Sequence, residues 1–133
     1  VKAADTSVVI AAFASWHAKH DAARRALDDG LRLIEHCSLE TYSVLTRLPP
    51  PHRAPGDVVR DFLDARFPEP LLRMSPRHYR RFLLELPRHD VTGGAAYDAL
   101  VAATAAAHSA ELITCDRRAA PVYDKYGVRA RIL

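Results

Sequence analysis

Along the chain, apolar residues at helical spacing alternate with short, continuous apolar runs. Ala3-Ala4 before Asp5 predicts a first strand, and Val8, Val9 and Ala12 place a small helix directly after it. Ala18, Ala22, Ala23, Ala26 and Leu27 keep the helical period over His17 to Asp29, and Gly30 ends that helix as a C-terminal cap. Leu31 to Glu35 predicts a second strand. Leu39, Tyr42, Leu45 and Leu48 predict a helix over 39–48, which Pro49-Pro50-Pro51 stops. Pro49 to Gly56 is a surface loop. Asp57 to Arg66 is helical, with Val58, Val59, Phe62 and Leu63 as its buried stripe. Leu71 to Met74 is a short strand candidate. Pro76 opens a helix with Tyr79, Phe82, Leu83 and Leu86 as its apolar face. After a loop carrying Gly93-Gly94 come a helix over Tyr97–Ser109, a strand over Glu111–Cys115, a short helix over Ala119–Tyr126 and a closing strand over Val128–Leu133.

Strands that alternate with helices imply an α/β protein: a central parallel sheet of about five strands flanked by helices. With 133 residues and no repeat or linker, residues 1–133 form one domain. No apolar run approaches a membrane span, and no signal-like segment opens the sequence, so the expected setting is cytoplasmic, away from membranes. Cys37 and Cys115 lack metal or redox spacing and read as reduced thiols, a disulfide being the lesser alternative.

The net charge of +3 suits a nucleic-acid partner without requiring one. Its placement is more informative. Arg77, Arg80 and Arg81 cluster on one helix, and Arg117-Arg118 directly follow an acid. These five arginines are candidate nucleic-acid contacts, with solvated helix faces as the competing explanation.

Four acids carry the candidate chemistry. Asp5 and Asp116 each follow a strand, and Asp98 and Glu40 each lie near a helix start. Ligands of open α/β sheets bind outside the carboxyl ends of the strands. Each acid also has a structural explanation. Asp5 and Asp116 fit helix N-caps, and Asp98 complements a helix dipole. Glu40 is placed in a first turn without a capping box, because Cys37 stands three residues before it. Gathered in one pocket, four carboxylates repel one another, and a divalent cation removes that penalty. All-oxygen ligation selects Mg²⁺ or Mn²⁺, and the chemistry such an ion supports is phosphodiester hydrolysis. Thr114, two residues before Asp116 on the same strand face, offers a hydroxyl that would orient a water, or simply packs as a strand residue. His17 and His20 are spaced for zinc, but no second pair completes a site, and Gly93-Gly94 lacks the spacing and lysine of a phosphate loop.

The segments Asp5-Thr6-Ser7-Val8, Ser38-Leu39-Glu40, Tyr97-Asp98-Ala99-Leu100-Val101-Ala102-Ala103-Thr104-Ala105 and Leu112-Ile113-Thr114-Cys115-Asp116-Arg117-Arg118 span nearly the whole chain. In that order they resemble the PIN-domain family, more narrowly the VapC-type toxins of bacterial toxin–antitoxin pairs. The resemblance implies a Rossmann-like sheet and a Mg²⁺- or Mn²⁺-dependent endoribonuclease. It maps the catalytic and metal-binding acids onto Asp5, Glu40, Asp98 and Asp116, with Thr114 as the accompanying hydroxyl and with Asp5 and Asp98 as the most direct metal ligands. It also implies cleavage of structured RNA (transfer or ribosomal), arrest of translation, homodimers, and a cognate antitoxin of the VapB type. An antitoxin tail is expected to lie on exposed aromatic or leucine positions between Leu39 and Phe67 and to direct a basic side chain at the four acids. A PIN nuclease of RNA processing, a phosphoacceptor module and a silent RNA-binding domain are the alternatives. The lysines (Lys2, Lys19 and Lys125) are badly placed for a phosphoacceptor pocket.

Overall fold

The computed structural model describes every residue from Val1 to Leu133. Four short strands, β1 (Lys2–Ala4), β2 (Arg32–Leu33), β3 (Glu111–Thr114) and β4 (Ala130–Ile132), form one parallel sheet in the order β2-β1-β3-β4. Seven helices surround it: α1 (Thr6–Phe13), α2 (His20–Asp28), α3 (Glu35–Arg47), α4 (Gly56–Arg66), α5 (Pro76–Glu85), α6 (Ala95–Ala107) and α7 (Ala120–Lys125). The chain leaves β1 toward β2 on one side, and β3 later leads to β4 on the other. The strand order therefore reverses between β1 and β3, which is where ligands bind in sheets of this kind.

The sheet's centre is made of small and branched residues. Ala3, Ala4, Leu112 and Ile113 are fully buried, with Ala4 paired to Ile113. Alanines on α1 and α6 (Ala11, Ala12, Ala102 and Ala105) are also fully buried and let those helices approach closely. Gly30 ends α2 at φ +88°, a left-handed conformation that favours glycine, and Ser75 caps α5 by accepting from the His78 N–H at 3.1 Å. No helix is long and apolar enough to cross a membrane, and both cysteines are free.

Several boundaries differ from the sequence reading. The expected strand over Leu71–Met74 is a single parallel bridge between Leu72 and Ile34. Leu72 exchanges two backbone hydrogen bonds with Leu33 and Glu35, but Pro70 has no N–H to extend the ladder and Pro76 starts a helix. The sheet thus has four strands, not about five. The α2 helix starts at His20, because Lys19 N–H donates to His17 Nδ1 at 3.0 Å and holds a turn there. The α3 helix starts at Glu35 rather than Leu39, so Glu40 lies beyond the first turn. Ser38 lies inside this helix, and its hydroxyl donates back to the Glu35 carbonyl at 2.6 Å.

Three apolar stripes also face differently. On α3 the buried positions are Cys37, Thr41 and Leu45, while Leu39 and Tyr42 are exposed. On α4 Val59 is buried and Val58 exposed, and on α5 only Phe82 is buried, with Tyr79 and Leu83 left in solvent. The exposed residues Leu39, Tyr79 and Leu83 instead wall a groove of about 840 Å³ between α3, α5 and α6.

Candidate active site at the carboxyl edge of the sheet

Asp5 follows β1 and caps α1, accepting from Val8 N–H at 3.3 Å. Its N–H donates to the Ile113 carbonyl at 3.1 Å, which ties it to the neighbouring strand. Asp116 follows β3 and forms a turn in which its Oδ1 accepts from Arg118 N–H at 2.9 Å; α7 begins only at Ala120, so Asp116 is not an N-cap. Asp98 lies in the first turn of α6. Glu40, from α3, completes the set. All four acids line one cavity of about 170 Å³, together with Thr6, Ser7, Val44 and Tyr123. The capping explanation of Asp5 and its place among the acids therefore hold at once.

The carboxylate of Asp5 is buried and held by three hydroxyl or amide donors. Ser7 Oγ donates to Oδ1 at 2.5 Å, beside the Val8 N–H, and Tyr123 OH donates to Oδ2 at 2.9 Å. A carboxylate oxygen offers about two acceptor sites. Oδ1 is thus filled, and Oδ2 keeps one site free. Ser7 also accepts from Cys115 N–H at 2.8 Å and lies 3.3 Å from Thr114 Oγ1. The Thr114 hydroxyl in turn accepts from Asp116 N–H at 2.9 Å. Thr114 is fully buried and does not line the cavity; its hydroxyl joins the two strand ends beneath the acids.

Burial pushes the Asp5 carboxyl up, and these donors only partly oppose it. Asp98 is also raised, first by burial and then by the charges of Asp116, Glu40 and Asp5. Glu40 moves down instead, because His36 Nε2 lies 2.9 Å from its Oε2 one helical turn away. Cys37, buried behind Asp5 and Glu40, is pushed up to about 12 and plays no acid–base part at neutral pH.

These features fit a hydrated hard cation. The cavity's acidic groups are all oxygen donors, and two of them are held toward protonation by burial and mutual repulsion, which a cation relieves. No three His, Cys, Asp or Glu side chains converge into a ready-made ligand shell. Zinc, which takes three or four close protein ligands, is poorly matched to that spacing. Mg²⁺ or Mn²⁺ is better matched, since such ions use one or two carboxylates and keep several waters.

The five candidate RNA-binding arginines separate into two groups. Arg117 and Arg118 line a cavity that adjoins the acids, and Arg118 Nε lies 3.5 Å from Asp116 Oδ1. Arg80 instead lines the apolar groove and Arg81 a third cavity beside Glu85, while Arg77 stands exposed near the start of α5; none of the three lines the acid cleft. Sequence reasoning passed over Ser7, His36 and Tyr123 as functional residues. Ser7 sits inside the Asp5 segment and His36 one turn before Glu40, so both had a local signal. Tyr123 lies 118 positions from Asp5 and had none.

The PIN domain family model matches residues 3–125. Ribonuclease VapC40 of Mycobacterium tuberculosis is 48% identical over 131 residues, covering 98% of each chain. Ribonuclease VapC27 of the same organism is 45% identical over 137 residues, covering 95% of this chain and 92% of the relative.

Proposed function

This chain belongs to the PIN-domain family, on its VapC branch, and from that premise we propose that it is a metal-dependent endoribonuclease toxin. Its substrate is structured RNA, transfer or ribosomal, and its cleavage arrests translation in the cytoplasm. The observation that carries this reading is that Asp5, Glu40, Asp98 and Asp116 all line one cleft where the strand order reverses.

Asp5, through its free Oδ2 site, and Asp98 are the residues that would hold Mg²⁺ or Mn²⁺ directly, with Glu40 and Asp116 flanking. When bound, the ion supplies positive charge at the scissile phosphate and acidifies water. The protein's own residues do the positioning. Ser7, Thr114 and Tyr123 keep the Asp5 carboxylate in one orientation, and His36 keeps Glu40 ionised. Arg117 and Arg118 stand at the rim to meet the phosphates. A phosphoacceptor role is disfavoured because no lysine lines the acid cleft.

The partner is a VapB-type antitoxin. The apolar groove that Leu39 shares with Tyr79 and Leu83 continues past Leu39 and Ser38 into a second one, lined by Tyr42, Leu63 and Leu71 between α3 and α4. This double groove suits an extended or helical tail, and a basic side chain from the tail directed at the acids would exclude the metal. The free toxin forms a homodimer. Sequencing of RNA 5′ ends after brief expression tests the activity: new ends should appear with wild type and not with Asp98→Asn. Identical end profiles from the two proteins would overturn the assignment.

A further inference from the structure

A second cavity, of about 560 Å³, lies against the acid cleft and shares Ser7, Ile10 and Asp116 with it. His17 and Lys19, from the turn between α1 and α2, form one wall. Arg117 and Arg118, from the turn after β3, form another. Two turns distant in sequence thus bring their basic side chains to one side of the acids.

The chemistry of this groove is that of a phosphate-binding surface. Neither Lys19 nor Arg117 is in an ion pair, and Arg118 has a single one, with the half-buried Asp116, in which its own side chain is almost fully exposed. A pair so open to solvent is worth little and is readily exchanged for a phosphate. His17 Nδ1 is occupied as an acceptor from Lys19 N–H, so the ring proton sits on Nε2, which is free to donate.

There is also an energetic reason for such a surface. Four carboxylates repel an RNA backbone, and one divalent cation cannot neutralise all of them. Attraction for the strand has to come from cations just outside the cleft. The α5 arginines do not meet that condition, since they line neither the acid cleft nor this groove.

We propose that this groove binds the phosphodiester backbone of a single RNA strand on one side of the scissile bond. Lys19, Arg117 and His17 donate to its phosphates, and Arg118 exchanges Asp116 for one of them. The proposal rests on the ribonuclease reading and adds to it the path of the substrate.

The test measures RNA binding without turnover. In the inactive Asp98→Asn background, the affinity for a single-stranded RNA oligonucleotide is followed by fluorescence anisotropy across a salt series. Each lost phosphate contact on a single strand removes about 0.7 from the slope of log affinity against log salt. The pair Lys19→Gln/Arg117→Gln should therefore flatten the slope by about 1.4, while Arg77→Gln/Arg80→Gln/Arg81→Gln on α5 should leave it within error. All five positions are at the surface, and thermal melts confirm that each variant is folded. An unchanged slope in the groove pair, or an equal flattening by the α5 triple, overturns the groove assignment. Cleavage by the wild-type protein with Mn²⁺ separates the two levels. If wild type cuts RNA and the slope does not move, the groove alone is wrong; if wild type neither cuts nor binds RNA, the ribonuclease reading falls and the groove with it.

Discussion

The substitution Tyr123→Phe removes one oxygen atom from the floor of the acid cleft and leaves the ring in place. In the structure that oxygen donates to Asp5 Oδ2 at 2.9 Å, while Ser7 and Val8 hold Oδ1. Without it, Oδ2 has no protein donor, and only the two bonds to Oδ1 restrain the carboxylate about its last side-chain bond. Partners that orient metal ligands typically contribute 10- to 100-fold in metal affinity. At about 1.4 kcal/mol per decade, that is a loss of about 1.4–2.8 kcal/mol in Mn²⁺ binding. Stability should fall as well, because a hydrogen bond to an ionised group contributes about 1.5–3 kcal/mol. Tyr123 is almost fully buried, so a smaller residue would add a cavity to these effects. Phenylalanine isolates the hydroxyl.

Three measurements separate positioning from general damage. Calorimetric titration of Mn²⁺ should show a 10- to 100-fold rise in Kd. Thermal melts without metal should show a modest fall in Tm and a transition that remains cooperative. RNA cleavage should drop at low Mn²⁺ and recover largely at saturating Mn²⁺, because the acids themselves are intact. A Kd within twofold of wild type would refute the reasoning, even if Tm falls, since Tyr123 would then support the fold without orienting Asp5 for a cation.

Other expectations follow from the same geometry. Asp5→Ala and Asp98→Ala should each abolish RNA cleavage and growth inhibition with native circular dichroism; full toxicity in either would remove that residue from catalysis. The raised carboxyls of Asp5 and Asp98 contribute stability that is present below their unfolded-state pKa and is lost as pH rises through the folded one. Asp98→Asn should therefore raise the metal-free Tm at neutral pH, by about 2–4 °C for each kcal/mol of relieved repulsion, and a lower Tm would contradict the repulsion. Glu40 has the opposite sign: its lowered pKa contributes stability above the unfolded value, lost as pH falls through the folded one. His36→Ala should accordingly move the NMR titration of the Glu40 carboxyl upward, toward the ordinary glutamate range, and an unmoved midpoint would separate the two residues. Leu39→Asp and Leu83→Asp face the double groove and should weaken a purified toxin–antitoxin complex at least tenfold, while leaving RNA cleavage by the free toxin intact; unaltered affinity would place the antitoxin on another face.

What was legible in the sequence depended on whether the signal was local. The acids were legible because carboxylates at strand ends and on the neighbouring helices are visible in a one-dimensional pattern. The α/β alternation was visible for the same reason. The orientation of the peripheral helices was not. Leu39 and Tyr42 keep helical spacing with Leu45, but spacing fixes only that residues share a stripe, and α3 turns its Cys37–Thr41–Leu45 side to the core. The strand over Leu71–Met74 failed on a tertiary condition: a strand needs a ladder on its neighbour, and prolines on both sides limit Leu72 to one bridge. Tyr123 was invisible for a related reason. A tyrosine on a six-residue helix carries no sign of its partner until α7 is placed under the end of β1.

That placement has a mechanical consequence for the site. Asp5 is bonded to β3 through its N–H and to α7 through Tyr123, while Ser7 and Thr114 link the ends of β1 and β3 by side chains. The free oxygen of Asp5 is therefore set by the register of two strands, not by the local turn alone. Ala3 and Ala4 on β1, like Leu112 and Ile113 on β3, point to opposite faces and are all fully buried, so packing on both faces holds that register. Asp98 and Glu40 lack such anchoring. Asp98 has no side-chain hydrogen bond, and Glu40 has only His36, one turn away on its own helix. The cleft thus has one carboxylate tied to two strands, one held in a turn by Arg118 N–H, and two, Asp98 and Glu40, with fewer restraints. Asp5 would hold a hydrated cation in place, and Asp98 and Glu40 would supply further oxygen donors beside it.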